Sequence, residues 1–209
     1  MSQEAFWTNS YRDAGEDYLF GTEPSHFLAR RAELLQSGRT VLSVADGEGR
    51  NAVWLAEQGL AVTAVEISSL AVDKARRLAA GRHVEVSFVV ADMLAPEWPP
   101  AEMRNAFDWV VGIFIQFTGL EERQRQFAAM QQATAPGGRI VLLGYSPKQL
   151  EYRTGGPSAV ENLYTEALLR EAFADWHIEE LVSYDEQVSE GAGHQGLSAL
   201  VGLVARKPA

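Results

Sequence analysis

The residues with the most chemical potential lie in one short stretch, Asp46-Gly47-Glu48-Gly49, between the apolar run Thr40 to Ala45 and a helical pattern that starts near Asn51. Glycine permits a sharp turn and a close backbone approach to a ligand, and the first turn of a helix offers N–H groups with no partner of their own. The stretch therefore reads as a ligand cradle. A compact strand-to-helix turn is the plainer reading, and Gly47-Glu48-Gly49-Arg50-Asn51-Ala52 also fits the G-x-G-x-x-A pattern of dinucleotide binding. Glu66, 19 residues beyond Gly47, closes the second apolar run in Val65-Glu66-Ile67, where a carboxylate accepts both hydroxyls of an adenosine ribose. Asp92 follows the third run, in Ala91-Asp92-Met93, where it accepts from an adenine amino group or caps a turn. Together the two acids favour an adenosine lying across strand ends without choosing between cofactors.

These residues need a scaffold, and the pattern supplies one. Five short β-branched runs, Thr40 to Ala45, Ala61 to Ile67, Val84 to Val90, Phe107 to Ile113 and Arg139 to Tyr145, alternate with helical spacing over Arg50 to Gln58, Ser69 to Ala80 and Glu121 to Ala133. Such alternation predicts an α/β fold: a doubly wound, mainly parallel sheet of Rossmann-like type with helices on both faces. Trp176 to Val182 and Leu197 to Val204 add a terminal pair whose last member is antiparallel, seven strands in all, and SYDEQVSEGAGHQG reads as their connection. Ahead of the first strand, Glu23 to Gln36 reads as one helix, with Phe27, Leu28, Leu34 and Leu35 on a common face. A single domain over 1–209 is expected, with a lid or helix over 1–37, a cofactor scaffold over 38–145 and a substrate side over 146–209.

Ligands of open parallel sheets bind outside the carboxyl ends of the strands. That rule brings Ile113, Phe114, Gln116 and Tyr145 to the site, with Glu190 and His194 from the last connection. The aromatic N-terminal segment, including Phe6, Trp7, Tyr11, Tyr18 and Phe20, folds over as a lid or packs on the Glu23 to Gln36 helix. For a substrate that must lose a proton, His194 is the first candidate base and Glu190 or Tyr145 the next.

Composition narrows the partners. With 18 Lys and Arg against 28 Asp and Glu, the net charge is −10, which argues against nucleic acid and anionic membranes. No cysteine is present and the four histidines have no metal-ligand spacing, so a protein-held metal is not expected. No apolar run reaches the ~18 residues of a membrane helix and the N-terminus is acidic, so a cytoplasmic monomer or homodimer is expected.

The chain resembles the class I S-adenosylmethionine-dependent methyltransferases. Their D/E-x-G-x-G-x-G motif aligns with Ser43-Val44-Ala45-Asp46-Gly47-Glu48-Gly49, and Glu66, Asp92, Phe107-Asp108 and Ala135-Pro136-Gly137-Gly138-Arg139 follow in the family's order. The resemblance covers about residues 38–145 and, through the G-E-G-R-N turn, is closest to small-molecule enzymes of the tellurite-resistance and thiopurine type. It implies S-adenosylmethionine bound by Ala45 to Gly49, Asn51, Glu66, Ile67, Asp92, Met93, Ile113 and Phe114. It also implies in-line methyl transfer to a small thiol, chalcogen oxyanion, amine or hydroxyl acceptor. Two departures stand out. Ser43 replaces the usual acid and Ala45 the usual first glycine, a methyl worth on the order of 1 kcal/mol if it crowds the ligand; Asp46 stands in for the missing acid or faces water. Two other readings keep the same turn. One is a nicotinamide-dependent oxidoreductase, against which Tyr145-Ser146-Pro147-Lys148 has the wrong spacing for a Tyr-x-x-x-Lys pair. The other is a non-catalytic module that binds the cofactor without turnover.

Overall fold

In the computed structural model, which describes residues 2–36 and 38–209, seven strands form one sheet in the order β3-β2-β1-β4-β5-β7-β6. The chain runs α1 (Gln3–Asp13), α2 (His26–Ala29), β1 (Thr40–Val44), α3 (Arg50–Glu57), β2 (Ala61–Glu66), α4 (Ser69–Gly81), β3 (Ser87–Val90) and β4 (Phe107–Ile113). It continues with α5 (Leu120–Ala133), β5 (Thr134–Tyr145), α6 (Gln149–Tyr152), α7 (Glu166–Ala172), β6 (His177–Glu190) and β7 (His194–Arg206). β1 pairs with β2, β2 with β3 and β4 with β5, all parallel, while β7 is antiparallel to β5. This is the expected mainly parallel α/β sheet with an antiparallel last strand.

The chain divides into two compact units, Met1–Met93 with Glu190–Gly193, and Leu94–Ser189 with His194–Ala209. In the first, Val41, Leu42 and Val44 of β1 are fully buried, as the near-continuous apolar runs of parallel strands require. Helix α4 starts on Ser68, whose hydroxyl accepts from the Ala71 amide at 3.4 Å, and α1 on Ser2, which accepts from Ala5 at 3.2 Å. Gly49 at φ +94° begins α3, and a Cβ there would come within 2.7 Å of the Ala75 methyl, so glycine lets α3 start against α4. In the second unit Val110, Met130, Ile140, Leu142 and Leu203 form the centre of the core. The Ala135–Gly138 turn is an excursion from the β4–β5 ladder: Phe107 pairs with Thr134, but Trp109 already pairs with Arg139.

β3 starts at Ser87 rather than Val84 and β5 at Thr134 rather than Arg139, and two further elements differ in kind. The single helix over Glu23 to Gln36 is broken into α2 and a 3₁₀ turn, Ala32–Leu34. Arg31, at φ −108° and ψ +14°, leaves the helical region, its guanidinium bonds the Phe27 carbonyl and lies over the Phe27 ring, and Leu34 is left exposed. The polar stretch read as a loop is strand instead. β6 runs to Glu190 and β7 starts at His194, so the connection shrinks to three residues, and β6 alternates between exposed and sheltered positions out to Val188. Among the described residues no helix is long and apolar enough to cross a membrane.

Candidate cofactor site

The turn after β1 alternates backbone freedom with acid side chains. Ala45, Gly47 and Gly49 have φ of +47°, +63° and +94°, and the Asp46 amide between the first two donates to the Val65 carbonyl of β2 at 3.1 Å. Glu66, at the end of β2, is buried, and its carboxylate accepts from the Gly47 amide at 3.0 Å and the Ser68 amide at 2.9 Å. The Ile67 amide also acts on this carboxylate, whose two oxygens together offer about four acceptor positions. Burial raises the Glu66 pKa despite these amides.

Asp46 is the more exceptional acid. Ser43 donates its hydroxyl to Asp46 Oδ1 at 2.6 Å, while Oδ2 is buried with no well-formed hydrogen bond among the described residues. Burial pushes the Asp46 pKa up to about 7; the Ser43 hydrogen bond, the Ala52 amide and the Arg50 charge work against that rise, and the charge of Glu66 adds to it. A buried carboxylate oxygen without a donor is costly by itself and is satisfied by a cationic or hydrogen-bonding ligand group. S-adenosylmethionine carries both kinds of group, a sulfonium with an ammonium and ribose hydroxyls, so the residues present fit it. The diphosphate of a nicotinamide dinucleotide would instead face carboxylates.

The other polar residues of the turn point to the chain's own flanks. Glu48, expected at the cofactor, accepts from Lys74 Nζ at 2.5 Å and from the Leu19 amide at 2.7 Å. Asn51 Oδ1 accepts from the Ser25 amide at 2.9 Å. Arg50 makes a buried 2.7 Å ion pair with Glu190, whose other oxygen accepts from the His26 amide at 3.3 Å. Glu190, a candidate base, is therefore an anchor. Tyr11 is buried with its hydroxyl over the turn, 2.9 Å from where a Cβ on Gly47 would lie, and burial with the charges of Glu66, Glu48 and Asp46 holds its pKa well above the ordinary value. Tyr18 donates to the Lys74 carbonyl at 3.0 Å. The aromatic segment packs on α4 and the glycine turn, with Tyr11 stacked on Trp7 at 6.1 Å and edge-on to Phe20 at 6.4 Å. Ile67 is half-buried, Asp92 exposed and Met93 buried.

In the second unit, Ile113 and Phe114 are half-buried at the end of β4, and Phe114 has φ +57°. Its ring lies 4.7 Å from Tyr145 and 4.3 Å from His194, which is buried as the first residue of β7 and not held in an exposed loop. Gln116, expected at the substrate, is buried and its amide is occupied: Nε2 donates to the Tyr145 carbonyl at 2.9 Å and the Asn162 carbonyl at 3.1 Å, and Oε1 accepts from the Tyr145 amide. Sequence reasoning missed Lys74. It lies three residues from Ala71 and four from Leu78 on the buried face of α4, and a lysine at an apolar helical position was the available signal.

A family model described as a methyltransferase domain matches residues 41–138. A demethylmenaquinone methyltransferase of Thermus thermophilus is 32% identical over 116 residues, 54% of this chain and 50% of that protein. The chain spans about half the length of the curated relatives it matches. Among solved structures, one described by the words "Conversion of a Disulfide Bond into a Thioacetal Group during Echinomycin Biosynthesis" superposes with a TM-score of 0.78 at 21% identity, covering 99% of this chain and 93% of that one. TehB from Haemophilus influenzae superposes with a TM-score of 0.67 at 19% identity, over 86% of this chain and 61% of that one. At these identities the likeness to solved structures is one of fold.

Proposed function

We propose that the chain is a class I, S-adenosylmethionine-dependent methyltransferase, a reading supported by the methyltransferase-domain family model that matches residues 41–138, and that it transfers a methyl group from S-adenosylmethionine to a small-molecule acceptor. The observation that carries the reading is the buried carboxylate of Asp46, its pKa raised to about 7 and its Oδ2 lacking a well-formed hydrogen bond among the described residues, beside the glycine turn and Glu66. Asp46 would receive the cationic part of the cofactor and Glu66 the ribose hydroxyls, with Asp92 at the adenine and Tyr11 closing over Gly47. When bound, S-adenosylmethionine supplies an electrophilic methyl group on a positively charged sulfur. The protein's part is to bind, orient and exclude water, which lowers a transfer barrier by several kcal/mol.

A thiolate or chalcogen anion needs no base. An amine or hydroxyl acceptor needs one, and with Glu190 engaged by Arg50, His194 and Tyr145 are the proton acceptors we propose. The curated relatives are named for a demethylmenaquinone acceptor, and a small quinol is accordingly one member of the acceptor panel. Titration with S-adenosylhomocysteine tests the cofactor reading; one site of micromolar affinity is expected, and no heat at any concentration would sink it. Transfer of labelled methyl to a panel of thiols, quinols, amines and oxyanions tests the rest. Tight binding without transfer to any member would favour a non-catalytic module.

A further inference from the structure

We infer that Lys74 is a positioning residue that fastens the N-terminal segment over the glycine turn and thereby sets how long a bound nucleoside cofactor stays. The inference rests on the reading of that turn as the S-adenosylmethionine site. Lys74 lies within α4 and is only 1% exposed, so its ammonium has been taken out of water and must be fully paired. It is: three acceptors surround Nζ, Glu48 Oε1 at 2.5 Å, the Asp17 carbonyl at 2.6 Å and the Tyr11 carbonyl at 3.4 Å. One acceptor belongs to the glycine turn and two to the backbone of the N-terminal segment. The second oxygen of Glu48 accepts the Leu19 amide at 2.7 Å, and the Tyr18 hydroxyl returns to the Lys74 carbonyl at 3.0 Å. One ion pair thus fastens the segment at Tyr11, Asp17, Tyr18 and Leu19.

Fold stability alone does not call for such a pair. Position 74 shares a helix face with Ala71, Ala75 and Leu78, and an apolar side chain there would bury without any charge to desolvate; replacing a buried ion pair by apolar residues is often neutral or stabilising. What the pair adds is directional attachment beside the Thr8–Ser68 hydrogen bond at 2.8 Å and the aromatic contacts. Its outcome is local: with the Tyr11 carbonyl held by Lys74, the Tyr11 hydroxyl comes to rest against Gly47. A ligand seated at Gly47 is then released as this segment lifts, and lifting it breaks the Thr8–Ser68 hydrogen bond and makes Nζ give up two carbonyls.

The double variant Glu48→Gln/Lys74→Met removes both charges while keeping side-chain length. Its expected signature is a urea midpoint close to that of the wild type, S-adenosylhomocysteine dissociation at least about tenfold faster in stopped flow, an association rate changed far less, and faster tryptic cleavage after Arg12 in the ligand-free protein. Unchanged dissociation from the folded double variant, whatever the cleavage does, overturns the inference. If the double variant does not fold, Glu48→Gln alone carries the same two readouts, and failure of both to fold makes the pair a core element and likewise overturns it. A wild-type protein that does not bind S-adenosylhomocysteine is the separate failure of the functional reading.

Discussion

At the ends of β1 and β4 the chain makes the same uncommon backbone move with different surroundings. Ala45 and Phe114 each follow a parallel strand by one residue and each adopts a left-handed φ, +47° and +57°. Around Ala45 lie buried acids, Asp46 and Glu66, the first with an oxygen that has no well-formed hydrogen bond among the described residues. Around Phe114 lie rings, Tyr145 and His194, and a glutamine whose amide is occupied by backbone. Strained conformations of this sort persist where the surroundings over-determine them. The first end is built around a missing charge partner; the second is held by aromatic packing and a saturated amide.

The comparison is broken or sharpened by substitution. Gln116→Ala should have the largest effect, destabilising the fold by about 3 kcal/mol in urea titration because backbone groups of Tyr145 and Asn162 lose their partner. A large loss of cofactor affinity in a still stable protein would show instead that the β4 end is ligand machinery. Asp46→Asn should weaken S-adenosylhomocysteine by about thirtyfold at pH 8, the range of a charge-assisted hydrogen bond. The sign with pH follows. With a pKa near 7, Asp46 in the free protein is protonated below that value and must lose its proton to meet a cation, so wild-type affinity should fall as pH drops from 8 to 6. The asparagine variant should show a flat profile in the same calorimetric titrations. Asp92→Asn, at an exposed position, should weaken binding only about threefold. Smallest of all, Ala45→Gly should stabilise the protein by about 0.5 kcal/mol, since relief of about 1–2 kcal/mol of left-handed strain is partly offset by the greater freedom of unfolded glycine. Phe114→Gly, which relieves the same strain but removes a ring packed on two others, should have the opposite sign.

Much of this was legible in sequence because the signals were local. β-branched runs, the glycine turn and acids at strand ends are set by neighbours a few residues away, and β1, β2, β4, α3 and α4 fall within one or two residues of expectation. The break between Phe27 and Leu34 was not legible: helical spacing continues through it, and only the Arg31 guanidinium reaching back to Phe27 marks the end. The second half of β6 was hidden because its sheltered positions include Tyr184 and Glu186, so the two-residue period beyond Val182 carries little hydrophobic signature. At the site, residue types showed that Glu66 and Asp46 were chemically loaded. Which acids would find a partner depends on Lys74 and Arg50 meeting Glu48 and Glu190 from distant parts of the chain. Side chains of the same type two positions apart, Asp46 and Glu48, end in opposite circumstances for that reason.

The outer position of β6 bears on how copies of the protein behave in concentrated solution. This border strand offers a row of backbone groups, yet Glu179, Glu180, Asp185 and Glu186 stud its length. Glu179 is held there by Arg139 and Arg206 and Asp185 by Lys148, and a foreign ribbon zipping onto the border would have to strip water from those charged pairs, which disfavours edge pairing. The opposite border, β3, has only four residues to offer.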